Sequence, residues 1–144
     1  MATIRFYELV PVPWFKQRRS MKACIHELFS QEGILLGELN IIFCDDEFLL
    51  GINREYLQHE DYTDIITFDL SDSSLIKGEI YISIPRIIEN AGNLHLPNSL
   101  ELRRVIFHGC LHLCGYKDKL KPEKEDMKRK EDKYLSLYSS RSST

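Results

Sequence analysis

His108-Gly109-Cys110-Leu111-His112-Leu113-Cys114-Gly115-Tyr116-Lys117-Asp118 sets two imidazoles one helical turn apart and follows them with a carboxylate. Residues i and i+4 share a face of an α-helix, so His108 and His112 can aim both rings at one ion while the backbone stays regular. Gly115 can take the left-handed conformation that ends a helix, and the turn then brings Asp118 back toward the rings as a third ligand. Val105, Ile106, Phe107, Cys110, Leu111, Leu113 and Cys114 make this helix apolar on nearly all sides, which places the imidazoles indoors. Two histidines on a helix can also be ordinary core or surface residues. Buried imidazoles need partners, however, and the spacing and the Gly-turn-Asp sequel point to a metal as that partner.

Two imidazoles and one carboxylate suit zinc best, with nickel or another divalent ion left open, and three protein ligands leave a fourth position for water. Four cysteines, Cys24, Cys44, Cys110 and Cys114, offer an alternative ligand set. Cys110 and Cys114 each lie two residues beyond a histidine, about 200° around the helix, so they face away from any ion the histidines hold. Without a Cys-x-x-Cys pair or a secreted-scaffold spacing, they read as small buried apolar residues in a reducing compartment. The residue after His108 is Gly109, so the general-base glutamate of His-Glu-x-x-His metalloproteases is missing and peptide hydrolysis by that route is disfavoured. Arg104 lies one turn before His108, so its guanidinium reads either as available beside the metal for a substrate phosphate or as a solvated arginine near the helix start.

Upstream of this helix the pattern alternates between strands and helices. Ile4 and Phe6 mark a first strand, which Pro11-Val12-Pro13 breaks. Met21, Cys24, Ile25, Leu28 and Phe29 recur at helical spacing, with Gly33 just past the end. Leu39 to Cys44 reads as the next strand. Asp45 and Asp46 can cap a second helix with Phe48, Leu49, Ile52 and Tyr56 on its inner face. Ile66, Phe68 and Leu70, then Ile80 and Ile82, read as an antiparallel strand pair around the polar turn Ser71 to Ser74. A short helix from Pro85 to about Asn93 precedes the metal helix. That helix begins near Asn98, where Glu101 three residues on completes a capping-box pattern. Beyond Lys121-Pro122 a charged helix carries only a thin apolar stripe, Met127, Tyr134 and Tyr138, and its charges read mainly as a solvated face. His26, His59 and His95 read as isolated surface residues.

The expected fold is α+β, a small mixed sheet of about four strands covered by helices, with the metal site on a helix of the C-terminal half. Residues 1–138 form one domain, and 139–144 read as a disordered tail. At 144 residues and 43% hydrophobic content the chain can bury a core without disulfides. No apolar run approaches a membrane span, and a cytosolic location is expected. Lys plus Arg number 19 against 22 Asp plus Glu, a net charge of −3. That is not the balance of a generic nucleic-acid binder, so any RNA contact has to be local, through a basic patch or the metal.

The stretch from His108 to Tyr116 resembles the YbeY family of metal-dependent endoribonucleases, whose pattern runs His-Gly-x-Leu-His-Leu-x-Gly-Tyr-Asp-His. Ile52-Asn53-x-x-Tyr56, Thr63-Asp64-Ile65-Ile66-Thr67-Phe68 and Gly78-Glu79-Ile80-Tyr81-Ile82-Ser83 are similar to further segments of that family, in the same order. Two positions depart from it. Lys117-Asp118 stand where the family has Asp-His, exchanging an imidazole ligand for a carboxylate, which weakens the ion as a Lewis acid and raises the pKa of its water. Leu57 stands where the family has an arginine that meets RNA phosphates, with Arg54 or Arg104 as replacement cations. The resemblance implies an endoribonuclease of ribosomal RNA maturation and ribosome quality control. It implies one Zn2+ per chain on His108, His112 and Asp118, Arg104 and His108 in catalysis, and ribosomal RNA with the ribosome or a ribosomal protein as partners. Spacing alone would stop at a metal-dependent hydrolase of an ester or amide, or at an RNA-binding module whose zinc is structural.

Overall fold

The computed structural model describes residues 2–57 and 63–142. Four strands, β1 (Thr3–Glu8), β2 (Leu36–Cys44), β3 (Ile65–Asp69) and β4 (Ile76–Ser83), form one sheet in the order β1-β2-β4-β3. β1 and β4 run parallel to β2, while β3 pairs antiparallel with β4, so the sheet is mixed, as the sequence predicts. Helices α1 (Arg18–Gln31), α3 (Ile84–Leu94), α4 (Asn98–Leu113) and α5 (Lys121–Ser142) cover one face. On the other face lies α2 (Asp46–Ile52), prolonged by a π-helical turn over Asn53–Leu57.

Alternation of side chains along β4 explains the two layers. Ile80 and Ile82 point with Ile65 into the main core beneath α4, joining Leu39, Ile41 and Phe43 of β2. Tyr81 points the other way, to a small cluster of Cys44, Leu49, Ile66 and Phe68 under α2. The apolar set expected on β3, Ile66 and Phe68, therefore serves the minor cluster.

Local expectations fared unevenly. Asp45 caps α2, its carboxylate accepting the Phe48 N–H at 2.9 Å. Asp46 instead faces α3, accepting from the Ser83 hydroxyl at 2.5 Å and pairing with Arg86. Leu49 and Leu50 are the buried residues of α2, whereas Phe48 and Tyr56, expected on its inner face, are exposed. Both rings still turn toward the sheet, Phe48 stacking on Tyr81 and Tyr56 meeting Phe68 edge-on, but they border an open cavity and so keep much of their surface in solvent. Asn98 is the first residue of α4 and Pro97 holds the cap position without a side-chain hydrogen bond, so no capping box forms there. Glu101 turns inward and is fully buried. α5 continues through Ser142, so positions 139–142 are helical and not an unstructured tail; 143–144 lie outside the described residues.

The contact that fixes α4 on the sheet is made at Gly109. A β-carbon built there would lie 2.9 Å from Ile80 Cδ1 and 3.0 Å from Ile65 Cδ1. The helix backbone presses on β3 and β4 at that point, and side chains locked in a close-packed core have little room to give. A glutamate after His108 would have to occupy this same space, which supplies a packing reason for the missing protease base.

Candidate metal centre

Arg104, His108 and His112 form a stripe along α4 that the core leaves partly open. Their side chains are 33%, 18% and 29% exposed, so the imidazoles sit at the lip of a cleft and not indoors. The helix ends in a Schellman turn. Gly115, at φ +101°, donates its N–H to the His112 carbonyl and Tyr116 donates to the Leu111 carbonyl, both at 3.0 Å. This reversal carries Asp118 back over the stripe as the sequence predicts. His108 Nε2 lies 3.1 Å and His112 Nε2 3.2 Å from Asp118 Oδ2, and the two Nε2 atoms are 3.0 Å apart. Among the described residues these three alone form a group able to hold a metal ion.

The far sides of both rings decide what the near sides offer. His108 Nδ1 meets Glu131 Oε2 at 2.6 Å, and His112 Nδ1 meets the Tyr116 carbonyl at 2.9 Å. A carboxylate and a carbonyl can only accept, so each neutral ring carries its hydrogen on Nδ1 and presents a bare Nε2 lone pair. Two lone pairs and a carboxylate oxygen thus converge with no hydrogen of their own between them, an arrangement that a cation relieves. Ligands about 2.0–2.1 Å from a tetrahedral zinc stand about 3.3 Å from one another. The three observed separations are close to that edge, so the residues present fit such an ion.

Electrostatics support the same assignment. Burial favours the neutral form of His108, but the hydrogen-bonded Glu131 and nearby Asp118 outweigh it and its pKa rises above the ordinary 6.5. Protons and metal ions therefore compete for this ring. The cysteines take no part. Burial pushes the Cys44 and Cys114 thiols up to about 12 and raises Cys24 and Cys110 as well, so none is a ready thiolate ligand.

Arg104 does not stand free for a phosphate. Its Nε and Nη2 donate to the two oxygens of Glu101, at 2.9 and 2.7 Å, and its Nη1 donates to Glu131 Oε1 at 3.0 Å. The hydrogen bonds of Glu101 raise its pKa in spite of burial. Its cation is matched by two carboxylates, which corrects the expectation of an available guanidinium. The side chain of Leu57 and the whole of His59 lie outside the described residues. His26 and His95 are exposed, as expected. Thr63 and Asp64 serve the turn into β3. The Thr63 hydroxyl bonds the Ile65 carbonyl, and the Asp64 carboxylate accepts from Asn90.

Sequence reasoning missed Glu131, and a signal for it existed. Met127, Glu131, Tyr134 and Tyr138 lie at i, i+4, i+7 and i+11, so a carboxylate interrupts the inner stripe of α5. It also missed Glu32, which accepts from the hydroxyls of Tyr116 and Tyr134, at 2.6 and 2.5 Å, and from Lys130. That cluster pins the residue whose carbonyl holds His112. The cleft beside the centre has a volume of about 570 Å³ and is lined by Leu94, Leu96, Lys124, Lys128 and Asp132 as well as by Arg104, His108, Asp118 and Glu131. A cavity of similar size, about 580 Å³, lies on the opposite face of the sheet among Phe48, Tyr56, Phe68 and Tyr81, away from the converging ligands.

Comparison with known proteins agrees with this geometry. A family model described as Endoribonuclease YbeY matches residues 8–139. A protein named Endoribonuclease YbeY from Cytophaga hutchinsonii is 46% identical over 136 residues, covering 94% of this chain and 95% of its own. One of the same name from Porphyromonas gingivalis is 45% identical over 138 residues, covering 95% and 91%. Among solved structures, a Thermotoga maritima protein determined in solution superposes with a TM-score of 0.68 at 25% identity, over 96% of this chain and 90% of that one.

Proposed function

This chain belongs to the endoribonuclease YbeY family, and from that premise we propose that it is a zinc-dependent endoribonuclease of ribosomal RNA maturation. It acts at the end of small-subunit ribosomal RNA and in ribosome quality control, in the cytoplasm and in association with the ribosome. The family supports a hydrolase acting on RNA. The observation that carries the metal dependence is the convergence of His108 Nε2, His112 Nε2 and Asp118 Oδ2 within 3.2 Å of one another, with both Nδ1 hydrogens engaged elsewhere. No helix among the described residues is long and apolar enough to cross a membrane.

A divalent ion, when bound there, polarises a phosphodiester oxygen and makes its water a usable nucleophile at neutral pH. The chain's own residues do the rest. His108 and His112 hold their donor atoms in place through Glu131 and the Tyr116 carbonyl. Asp118 adds a negative charge to the donor set, which a third imidazole would not. Lys124 and Lys128, exposed and one turn apart on α5, line the same cleft with no ion pair to either among the described residues. They meet backbone phosphates, while the exposed side chains of Leu94 and Leu96 give a base an apolar surface to lie on. This local pair answers the net charge of −3.

Purified protein incubated with a precursor of small-subunit ribosomal RNA is expected to cut it with zinc present and to stop on chelation, with zinc restoring the cut. Cleavage indifferent to chelator would overturn the reading. Replacing Lys124 and Lys128 together by alanine is expected to weaken single-stranded RNA binding roughly tenfold at low salt. It should flatten the plot of log affinity against log salt by about 1.4, two phosphate contacts at about 0.7 each. Fluorescence anisotropy across a salt series reads both, and an unchanged slope would remove α5 from the substrate path.

A further inference from the structure

We infer that Glu131 is a positioning residue for the metal centre, fixing His108 in the tautomer that presents Nε2 to the ion; this rests on the metal reading given above. The role follows from how its two oxygens are divided. Oε2 accepts the Nδ1 hydrogen of His108 at 2.6 Å, and Oε1 accepts Arg104 Nη1 at 3.0 Å. The side chain is 6% exposed, so water offers little substitute for either bond. Arg104 in turn is clamped by Glu101, whose side chain is 0% exposed. The chain of contacts therefore runs Glu101, Arg104, Glu131, His108, and ends on the lone pair that ligates. A carboxylate behind a ligating histidine sets the ring's orientation and raises its basicity.

Divided acceptance makes the choice of glutamate specific. Glutamine has nearly the same shape but one acceptor oxygen, and two donors, from Arg104 and His108, point at it. Whichever way the amide is placed, one of them meets an NH2 group. If the oxygen stays with the guanidinium, His108 escapes the clash by moving its hydrogen to Nε2, where it blocks the metal. The substitution leaves volume and packing unchanged, so its cost falls on the ligand and not on the fold. α5 is thereby more than a solvated cover, since it sets the chemistry of a residue on α4 from 23 positions away in sequence.

The test compares wild type with Glu131→Gln in two measurements. The first is zinc affinity by competition with a chromophoric chelator. The second is the His108 tautomer in metal-free protein, from long-range proton–nitrogen correlation in the imidazole at a pH where the ring is neutral. We expect zinc affinity to fall about 10- to 100-fold in the variant. The His108 hydrogen should sit on Nδ1 in wild type and shift toward Nε2 in the variant, with the metal-free melting temperature little changed. Wild type with its hydrogen on Nε2, or a variant with wild-type tautomer and zinc affinity, would overturn the inference. Should Glu131→Gln fail to fold, the wild-type tautomer still decides. Tight zinc binding by a wild type that cuts no RNA would count against the proposed function alone, leaving the role of Glu131 standing.

Discussion

Replacing His112 by alanine is expected to take zinc from about one ion per chain to almost none and to abolish RNA cleavage while the fold stays intact. The variant removes one of three donors, and the two that remain, His108 Nε2 and Asp118 Oδ2, span only one edge of the coordination polyhedron. Changing a partner of a ligand costs 10- to 100-fold in affinity, so losing the ligand itself should exceed about 100-fold. The metal-free fold should lose little, about 1 kcal/mol for the single bond from Nδ1 to the Tyr116 carbonyl, because the ring is 29% exposed and leaves no sealed cavity. Elemental mass spectrometry, calorimetric melting with and without zinc, and a cleavage assay separate the cases. If the zinc were structural, the variant would keep cutting RNA and lose its zinc-dependent rise in melting temperature. A variant that retains zinc and activity would remove the site altogether.

Replacing Arg104 by methionine should destabilise the protein by about 3 kcal/mol at neutral pH, the largest effect on folding expected of any site residue. The side chain is roughly isosteric, but its loss strands Glu101, with no exposed surface, and takes one of two partners from Glu131. Stranding a buried charge costs about 3–5 kcal/mol, and the lower end applies because Arg104 keeps a third of its own side chain in solvent. Urea denaturation of wild type and variant at neutral pH measures the difference. A loss below about 0.5 kcal/mol at neutral pH would mean the guanidinium is spare, and would return it to the role of phosphate ligand.

The two experiments treat neighbouring residues of one helical stripe in opposite ways, and the difference shows what a sequence can carry. The stripe 104, 108, 112 follows from the 3.6-residue period, and so does the burial of the apolar residues between Val105 and Leu113. The period states which residues are adjacent along the helix; it does not state what lies opposite them. Arg104 reads as a free cation until α5 is packed against it and brings Glu131. Asn98 and Glu101 read as a capping box until the chain direction is known, when Pro97 takes the cap and Glu101 turns to the core.

By itself the sequence determined the elements whose signals are local and strong. These are the strands with two-residue alternation, the helix carrying His108 and His112, and the left-handed glycine that returns Asp118 to them. The mixed four-stranded sheet under helices follows from their order. Backbone geometry over a few residues suffices for all of these, because helical period, pleat and the φ of Gly115 are properties of the chain alone. Only the tertiary structure decided which donors are free and which are committed. Glu131 reaches His108 across 23 residues, and Tyr134 and Lys130 reach Glu32 across 102 and 98. Such pairings join helices whose approach is set by the whole core, down to the side chain that Gly109 lacks. The tautomer of a ligand, and with it the ability to hold a metal, is therefore fixed by packing at a distance.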